Sequence, residues 1–225
     1  LDFAEIGRAI ERGHLRALSV TASGYASGES LTFFEAAADI LPWRRTHRMG
    51  VRSCIGVDHL MASSALPFVF PAVHIHREFF GDGSMRQLAP VSPAIHLGAD
   101  RIMVVGAMSS IFLDTLAVDL ERLDRINRSL ALMTDEERKA SAGLKHIETL
   151  VMLPSRRLDA IAGRHRLALP RALRTVLRSL GAMRSEGSAL LSYLLFEPAF
   201  TNALIELGYE DTMARRGEVS DFLRL

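Results

Sequence analysis

The chain has 225 residues but only one cysteine, Cys54, which excludes an internal disulfide framework and a cysteine-based zinc cluster and suits a reducing compartment. It also lacks an excess of charge of one sign: 27 lysines and arginines face 26 aspartates and glutamates. Bulk electrostatics therefore gives no reason to expect nucleic acid as a partner. Long apolar runs are missing too. The longest stretch free of Asp, Glu, Lys and Arg covers residues 59–76 and carries Pro67, Pro71, two serines and three histidines. A helix there would be broken and polar in lipid, so no membrane span is expected. The opening Leu1-Asp2-Phe3 shows neither a start methionine nor a signal pattern, so an upstream portion is expected. The expected location is cytoplasmic or at a membrane periphery.

What the chain does have is core material. Apolar residues make up 48% of it, which excludes a disordered chain, and its length suits one generous domain or a domain with a helical appendage. Up to about Ser110, short β-like runs alternate with Gly and Pro; beyond it the sequence turns helical and arginine-rich. Ala17 to Ala22 reads as a strand ending in the turn formers Ser23 and Gly24. Val57 to Ala65 has helical spacing and stops before Pro67. Glu78-Phe79-Phe80 is a brief strand entering Gly81-Asp82-Gly83. Ser92-Pro93 predicts a capped helix start, with Gly98 as its end. Arg101 to Gly106 reads as a strand buried on both faces in a parallel sheet.

In the second half, apolar residues from Phe112 to Leu130 recur at steps of three and four, marking one long amphipathic helix. Thr134 with Glu137 predicts a capping box, and Leu150 to Leu153 a strand halted by Pro154. Pro170 and Pro198 open two further helices, the latter closed by Gly208. The expectation is an α/β fold with a mostly parallel sheet flanked by helices, residues 1–110, and a helical C-terminal extension, residues 111–225.

Gly81-Asp82-Gly83-Ser84 is the most suggestive local feature. An Asp between two glycines suits a sharp turn at a strand end, with the backbone free to take positive φ and the carboxylate presented at the sheet edge. Asp-Gly is also among the commonest turn dipeptides, so the spacing alone reads first as a turn. The surroundings add weight. The run from Asp58 through Ala62, Ser63 and Pro67 to Pro71, then Gly81-Asp82-Gly83-Ser84, then Pro90 to Ile95 and the strand at Arg101, resembles the patatin-like phospholipase family over residues 15–106. In that family an Ala-Ser-x-x-x-Pro segment precedes the strand leading to an Asp-Gly-Gly or Asp-Gly-Ala motif.

The resemblance implies a serine lipid acyl hydrolase with a Ser–Asp dyad, no catalytic histidine, no catalytic metal and no cofactor. Asp82 would accept the serine's proton, with Gly81, Gly83 and Ser84 shaping its turn and Ala62, Ser63 and Pro67 supporting the site. The family's nucleophile stands in a Gly-x-Ser-x-Gly elbow behind a glycine-rich oxyanion loop, and no such string occurs in these 225 residues. Gly24-Tyr25-Ala26-Ser27-Gly28 and Gly28-Glu29-Ser30-Leu31-Thr32 come nearest, and Ser27 and Ser30 read as loop residues. This chain is therefore expected to supply the dyad carboxylate of an intact hydrolase acting on an acyl lipid or phospholipid. The serine would come from upstream or from a separate polypeptide. The competing class is a non-catalytic lipid-surface or interaction module that keeps the same architecture.

Other features have bland readings. His74 and His76 would share a strand face as a possible metal pair, but no third ligand stands at an obvious spacing, so they read, like His59 and His96, as structural or surface residues. Cys54 reads as a small buried residue. On the helix opened by Pro170, Arg171, Arg174 and Arg178 share a face that suits an anionic membrane or simply a solvated surface.

Overall fold

A computed structural model describes residues 2–87, 91–106, 110–134, 136–137, 145–165 and 195–225. The chain divides into two compact units, Leu1–Ile102 with Thr115–Ile147, and Met103–Asp114 with Glu148–Leu225. The division does not coincide with the change of texture near Ser110, because the segment 103–114 groups with the C-terminal residues and 115–147 with the N-terminal ones.

The first unit is built on a six-stranded sheet. Its strands are β1 (Ala17–Gly24), β2 (Ser30–Ala36), β3 (Trp43–Arg45), β4 (Arg48–Arg52), β5 (Val73–Ile75) and β6 (Glu78–Asp82), in the order β3-β4-β2-β1-β6-β5. The α/β character is as expected; the mostly parallel sheet is not. Within this sheet β2 and β4 run parallel, whereas β1/β2, β1/β6, β3/β4 and β5/β6 are antiparallel. The reason lies in the connections. Residues 25–29 join β1 to β2, and two-residue turns join β3 to β4 and β5 to β6, far short of the roughly dozen residues a parallel crossover needs. His47 and His76 occupy those tight turns with φ of 57° and 55°.

Register then assigns the faces. Ala22, Leu31, Phe33 and Phe80 lie on one face and pack with Ile55, Ala62 and Ile75. Helices α1 (Ala4–Glu11) and α2 (Val57–Ser63) contribute Ile6 and Ala62 to that cluster. The opposite face is apolar at one end, where Phe34 and Ala36 meet Ile40, Trp43 and Leu97. It turns polar at the other, where the Thr21 and Thr32 hydroxyls lie 3.1 Å apart and the buried Ser30 hydroxyl donates to Gln87 Oε1 at 3.1 Å. Arg52 closes the turn after β2, donating to the carbonyls of Ala36 (2.6 Å), Ala37 (3.0 Å) and Ile40 (2.5 Å) while its guanidinium stands 5.5 Å from the Phe34 ring centre.

Helix α3 (Val91–His96) takes in Ser92 and Pro93 instead of starting from them, and Gly98 ends it at φ 96° as anticipated. β7 (Arg101–Val105) precedes the long helix α4 (Ser110–Leu132), whose Leu116, Leu123 and Leu130 are buried at seven-residue spacing. The capping box forms as read: Thr134 N–H donates to Glu137 Oε2 at 2.8 Å, and Glu137 N–H returns to Thr134 Oγ1 at 3.3 Å.

In the second unit β8 (Glu148–Met152) pairs with β7 in a separate two-stranded parallel sheet. The expectation that β7 is buried on both faces is thereby corrected. Among the described residues it pairs with β8 alone, and its side chains at Met103 (36%) and Val105 (75%) are exposed. Helices α5 (Leu158–His165) and α6 (Pro198–Ala214) pack through Ile161, Ala162, Phe200 and Leu207, and α7 (Arg216–Leu223) sets Phe222 against Leu150 and Met152. Gly208 does not close its helix: α6 runs on to Ala214, because packing of the Phe200 and Leu207 face outweighs the roughly 1 kcal/mol that an interior glycine costs. Among the described residues no helix is long and apolar enough to cross a membrane.

Candidate functional site

Asp82 is the last residue of β6, paired across the sheet with Ala22. Its backbone N–H donates to the Ala65 carbonyl at 3.0 Å, tying the strand tip to the segment that leaves α2. The residue is 8% exposed. It caps a 3₁₀ turn over Gly83–Met85, with Oδ1 accepting the Ser84 N–H at 2.7 Å. Among the described residues this is the one hydrogen bond the carboxylate accepts, so a lone pair on each oxygen remains for another donor.

The flanking glycines serve a different purpose from the one anticipated. Neither takes positive φ. Each is instead a place of close approach: a Cβ on Gly83 would stand 2.3 Å from the Thr21 carbonyl oxygen, and one on Gly81 would stand 2.2 Å from the Tyr25 phenol oxygen. β1 thus presses against the turn, and the Tyr25 ring covers the strand just before the carboxylate. Ser84 contributes through its amide, a role that does not depend on its side chain.

Of the supporting residues, Ala62 is fully buried in the sheet-facing cluster, Ser63 is half-buried at the end of α2, and Pro67 is half-buried in the loop beyond. The direct link to Asp82 comes from Ala65, which sequence could not single out because its contact is a main-chain carbonyl.

None of Ser23, Ser27 and Ser30 meets the carboxylate. Ser27 is exposed, its N–H donating to Glu78 Oε1 at 2.6 Å and its hydroxyl accepting from Glu29 N–H at 3.2 Å. Ser30 is buried on Gln87. Ser23 is fully buried with its hydroxyl unpartnered, yet it pairs with Gly81, which puts its side chain on the opposite face of the sheet from that of Asp82.

The histidines take structural positions. His59 Nδ1 accepts from Gly56 N–H at 3.1 Å and its ring meets Phe33 edge-on at 4.7 Å; burial holds its pKa below the ordinary value, outweighing the nearby Asp58 charge. His96 stacks on Trp43 at 4.9 Å, and burial, then Arg45, pushes its pKa down. His74 leans on Phe79 at 4.8 Å in β5, whereas His76 stands in the turn, so the two do not share a strand face. Among the described residues no group of three His, Cys, Asp or Glu could hold a metal ion. Cys54 is exposed, not buried: in the link between β4 and α2 it is the neighbouring Ile55 that enters the core cluster. Arg171, Arg174 and Arg178 lie outside the described residues.

Sequence reading missed an exposed apolar surface on the segments that lead to the carboxylate. Val57, Leu60 and Met61 on α2, and Phe68 and Phe70 after it, are exposed, as is Met85 in the capped turn. Phe68 is wholly exposed and sits at φ 65°, a left-handed conformation that a bulky residue rarely adopts. The spacing of Val57, Leu60 and Met61 is legible in the sequence; its outward direction is not. Two cavities, of 390 Å³ along α4 and 210 Å³ at the ends of β7 and β8, are lined by residues other than Asp82. No protein-family model matches the chain, and searches of the curated proteins and of the solved structures each found no match.

Proposed function

We propose that this chain supplies the carboxylate of a patatin-like Ser–Asp lipid acyl hydrolase, the serine and oxyanion loop coming from outside these 225 residues. The observation that carries the reading is the state of Asp82: nearly buried at a strand tip, one oxygen steadied by the Ser84 N–H, and capacity left for a hydroxyl proton. A carboxylate so placed acts as general base toward a serine hydroxyl, assistance typically worth about 10²–10⁴ in rate. The attacking oxygen would form an ester bond to the acyl carbon as the lipid alcohol leaves, and water would then release the acid through the same carboxylate. Exposed Phe68, Phe70 and Met85, close in sequence to Ala65 and Asp82, suit an apolar substrate.

The test is hydrolysis of p-nitrophenyl butyrate. Without its nucleophile the 225-residue chain is expected to show no turnover, since loss of a catalytic serine costs about 10⁶ in a comparable hydrolase, or roughly 8 kcal/mol. With the elbow-bearing segment supplied in cis or in trans, turnover appears, and Asp82→Asn lowers it by about 10⁴. Turnover by this chain alone that persists in Asp82→Asn overturns the proposal.

A second reading, a non-catalytic module that rests on a lipid surface, is favoured by one observation: Phe68 and Phe70 in the loop after α2 are exposed, as are Val57, Leu60 and Met61 on α2.

A further inference from the structure

In the second unit the two parallel strands end side by side, with Gly106 N–H donating to the Met152 carbonyl at 3.0 Å. Leu204, Leu207, Gly208, Asp211 and Thr212, all on one face of α6, complete a cleft of 210 Å³ at these strand ends. Crevices outside the carboxyl ends of parallel strands are where α/β proteins place ligands.

The walls and mouth define what fits. Met152, Leu158, Leu204 and Leu207 make the walls apolar, with the exposed Val105 at the rim. An apolar cavity of about 150 Å³ accommodates benzene, so this one suits an alkyl chain of roughly six to eight carbons. Gly208 stands at the mouth, where an added Cβ would meet nothing within 4 Å. A longer side chain at this mid-helix position has space to extend over the opening.

The polar end presents acceptors. Among the described residues that line the cleft, Asp211 is the one that is ionisable. Its Oδ2 accepts the Ser155 N–H at 2.9 Å; the Ser155 side chain first, then this N–H, and also the nearby Arg156 charge, hold its pKa below the usual carboxylate range, and a carboxylate's four lone pairs exceed the Ser155 donors. The neighbouring Arg156 is engaged by Glu210 at 2.5 Å, and the Thr212 hydroxyl hydrogen is directed to the Gly208 carbonyl at 2.7 Å. A cationic head matches this end, and a carboxylate head is repelled by it.

We infer that this cleft binds an alkylammonium amphiphile, the chain lying among the Leu and Met side chains and the ammonium donating to Asp211. The site lies wholly within the second unit and does not depend on Asp82.

Calorimetric titration of the full chain with octylammonium, butylammonium and octanoate tests it. Octylammonium is expected to bind at least about tenfold more tightly than octanoate, and each methylene removed between octyl and butyl to weaken binding about fourfold. Gly208→Leu, which overhangs the mouth, is expected to weaken octylammonium about tenfold or more without lowering the melting temperature. Asp211→Asn keeps an acceptor for Ser155 and is expected to erase the preference between heads while preserving the dependence on chain length. Octanoate binding as tightly as octylammonium, affinity independent of chain length, or a Gly208→Leu protein with parental affinity each overturns the inference.

Discussion

Gly81 and Gly83 flank one carboxylate, yet alanine at the two positions is expected to have unequal consequences. At Gly83 the new methyl falls 2.3 Å from the Thr21 carbonyl oxygen and 2.9 Å from its carbon. That carbonyl belongs to β1, which is held by β2 on one side and β6 on the other, so relief demands that a central strand or the capped turn move by about 1 Å. Overpacking of this kind costs typically about 1–3 kcal/mol, and a backbone obstacle puts Gly83→Ala at the upper end. At Gly81 the obstacle is the far end of the Tyr25 side chain, already 43% exposed, which swings into water. Gly81→Ala is therefore expected to cost less than about 1 kcal/mol. Trp43, the single tryptophan, stacks on Phe34 at 5.0 Å within the first unit, so its emission follows that unit through a urea titration. The difference of about 2 kcal/mol corresponds to roughly 4–8 °C in melting temperature for a chain of this size. Adding Tyr25→Ala should leave the Gly83→Ala loss unchanged and remove what remains of the Gly81→Ala loss. Equal losses at the two glycines, or a Gly83→Ala protein as stable as its parent, would refute the close-approach argument.

Three further outcomes are expected. Arg52→Lys keeps the charge but cannot reach three carbonyls at once, and should lose about 1–2 kcal/mol in the same titration; no loss would show that the turn after β2 holds without its guanidinium. His59 and His96 both have folded-state pKa values below 6.5, so the unfolded chain takes up their protons first. Their contribution to stability is complete above pH 6.5 and declines as pH falls from there through the folded values; urea midpoints that stay level or rise between pH 7 and pH 5.5 would contradict the burial of these rings. If the lipid-surface reading holds, the chain floats with neutral phosphatidylcholine vesicles at high salt, and Phe68→Asp with Phe70→Asp abolishes flotation; unchanged flotation removes that loop as the contact.

Much of the local structure was legible because short-range chemistry decides it. The Thr134–Glu137 box, the stop at Gly98, the strand halted by Pro154 and the long apolar repeat of α4 depend on residues within a turn or two of one another. The readings that failed needed knowledge of distant partners. Gly208 looked like a helix end until Leu207 and Phe200 found Ile161 and Ala162 to pack against. The run of apolar residues in β7 looked doubly buried, but burial depends on how many strands and layers flank it. Cys54 shows the same dependence: it is exposed while its neighbour Ile55 is buried in the core cluster.

The candidate site divides along the same line. By itself the sequence determined that a carboxylate stands between two small residues at the end of a strand, and that no Gly-x-Ser-x-Gly string accompanies it, since both are matters of residue order. Only the tertiary structure decided that Asp82 is nearly buried, that Ala65 anchors its backbone, that Gly83 makes room for β1, and that Ser23 lies on the other face. The last two depend on cross-strand register, which pairs residues some sixty positions apart and turns a side chain to the opposite face with every single-residue shift, and the first two on how the loop after α2 meets the strand tip.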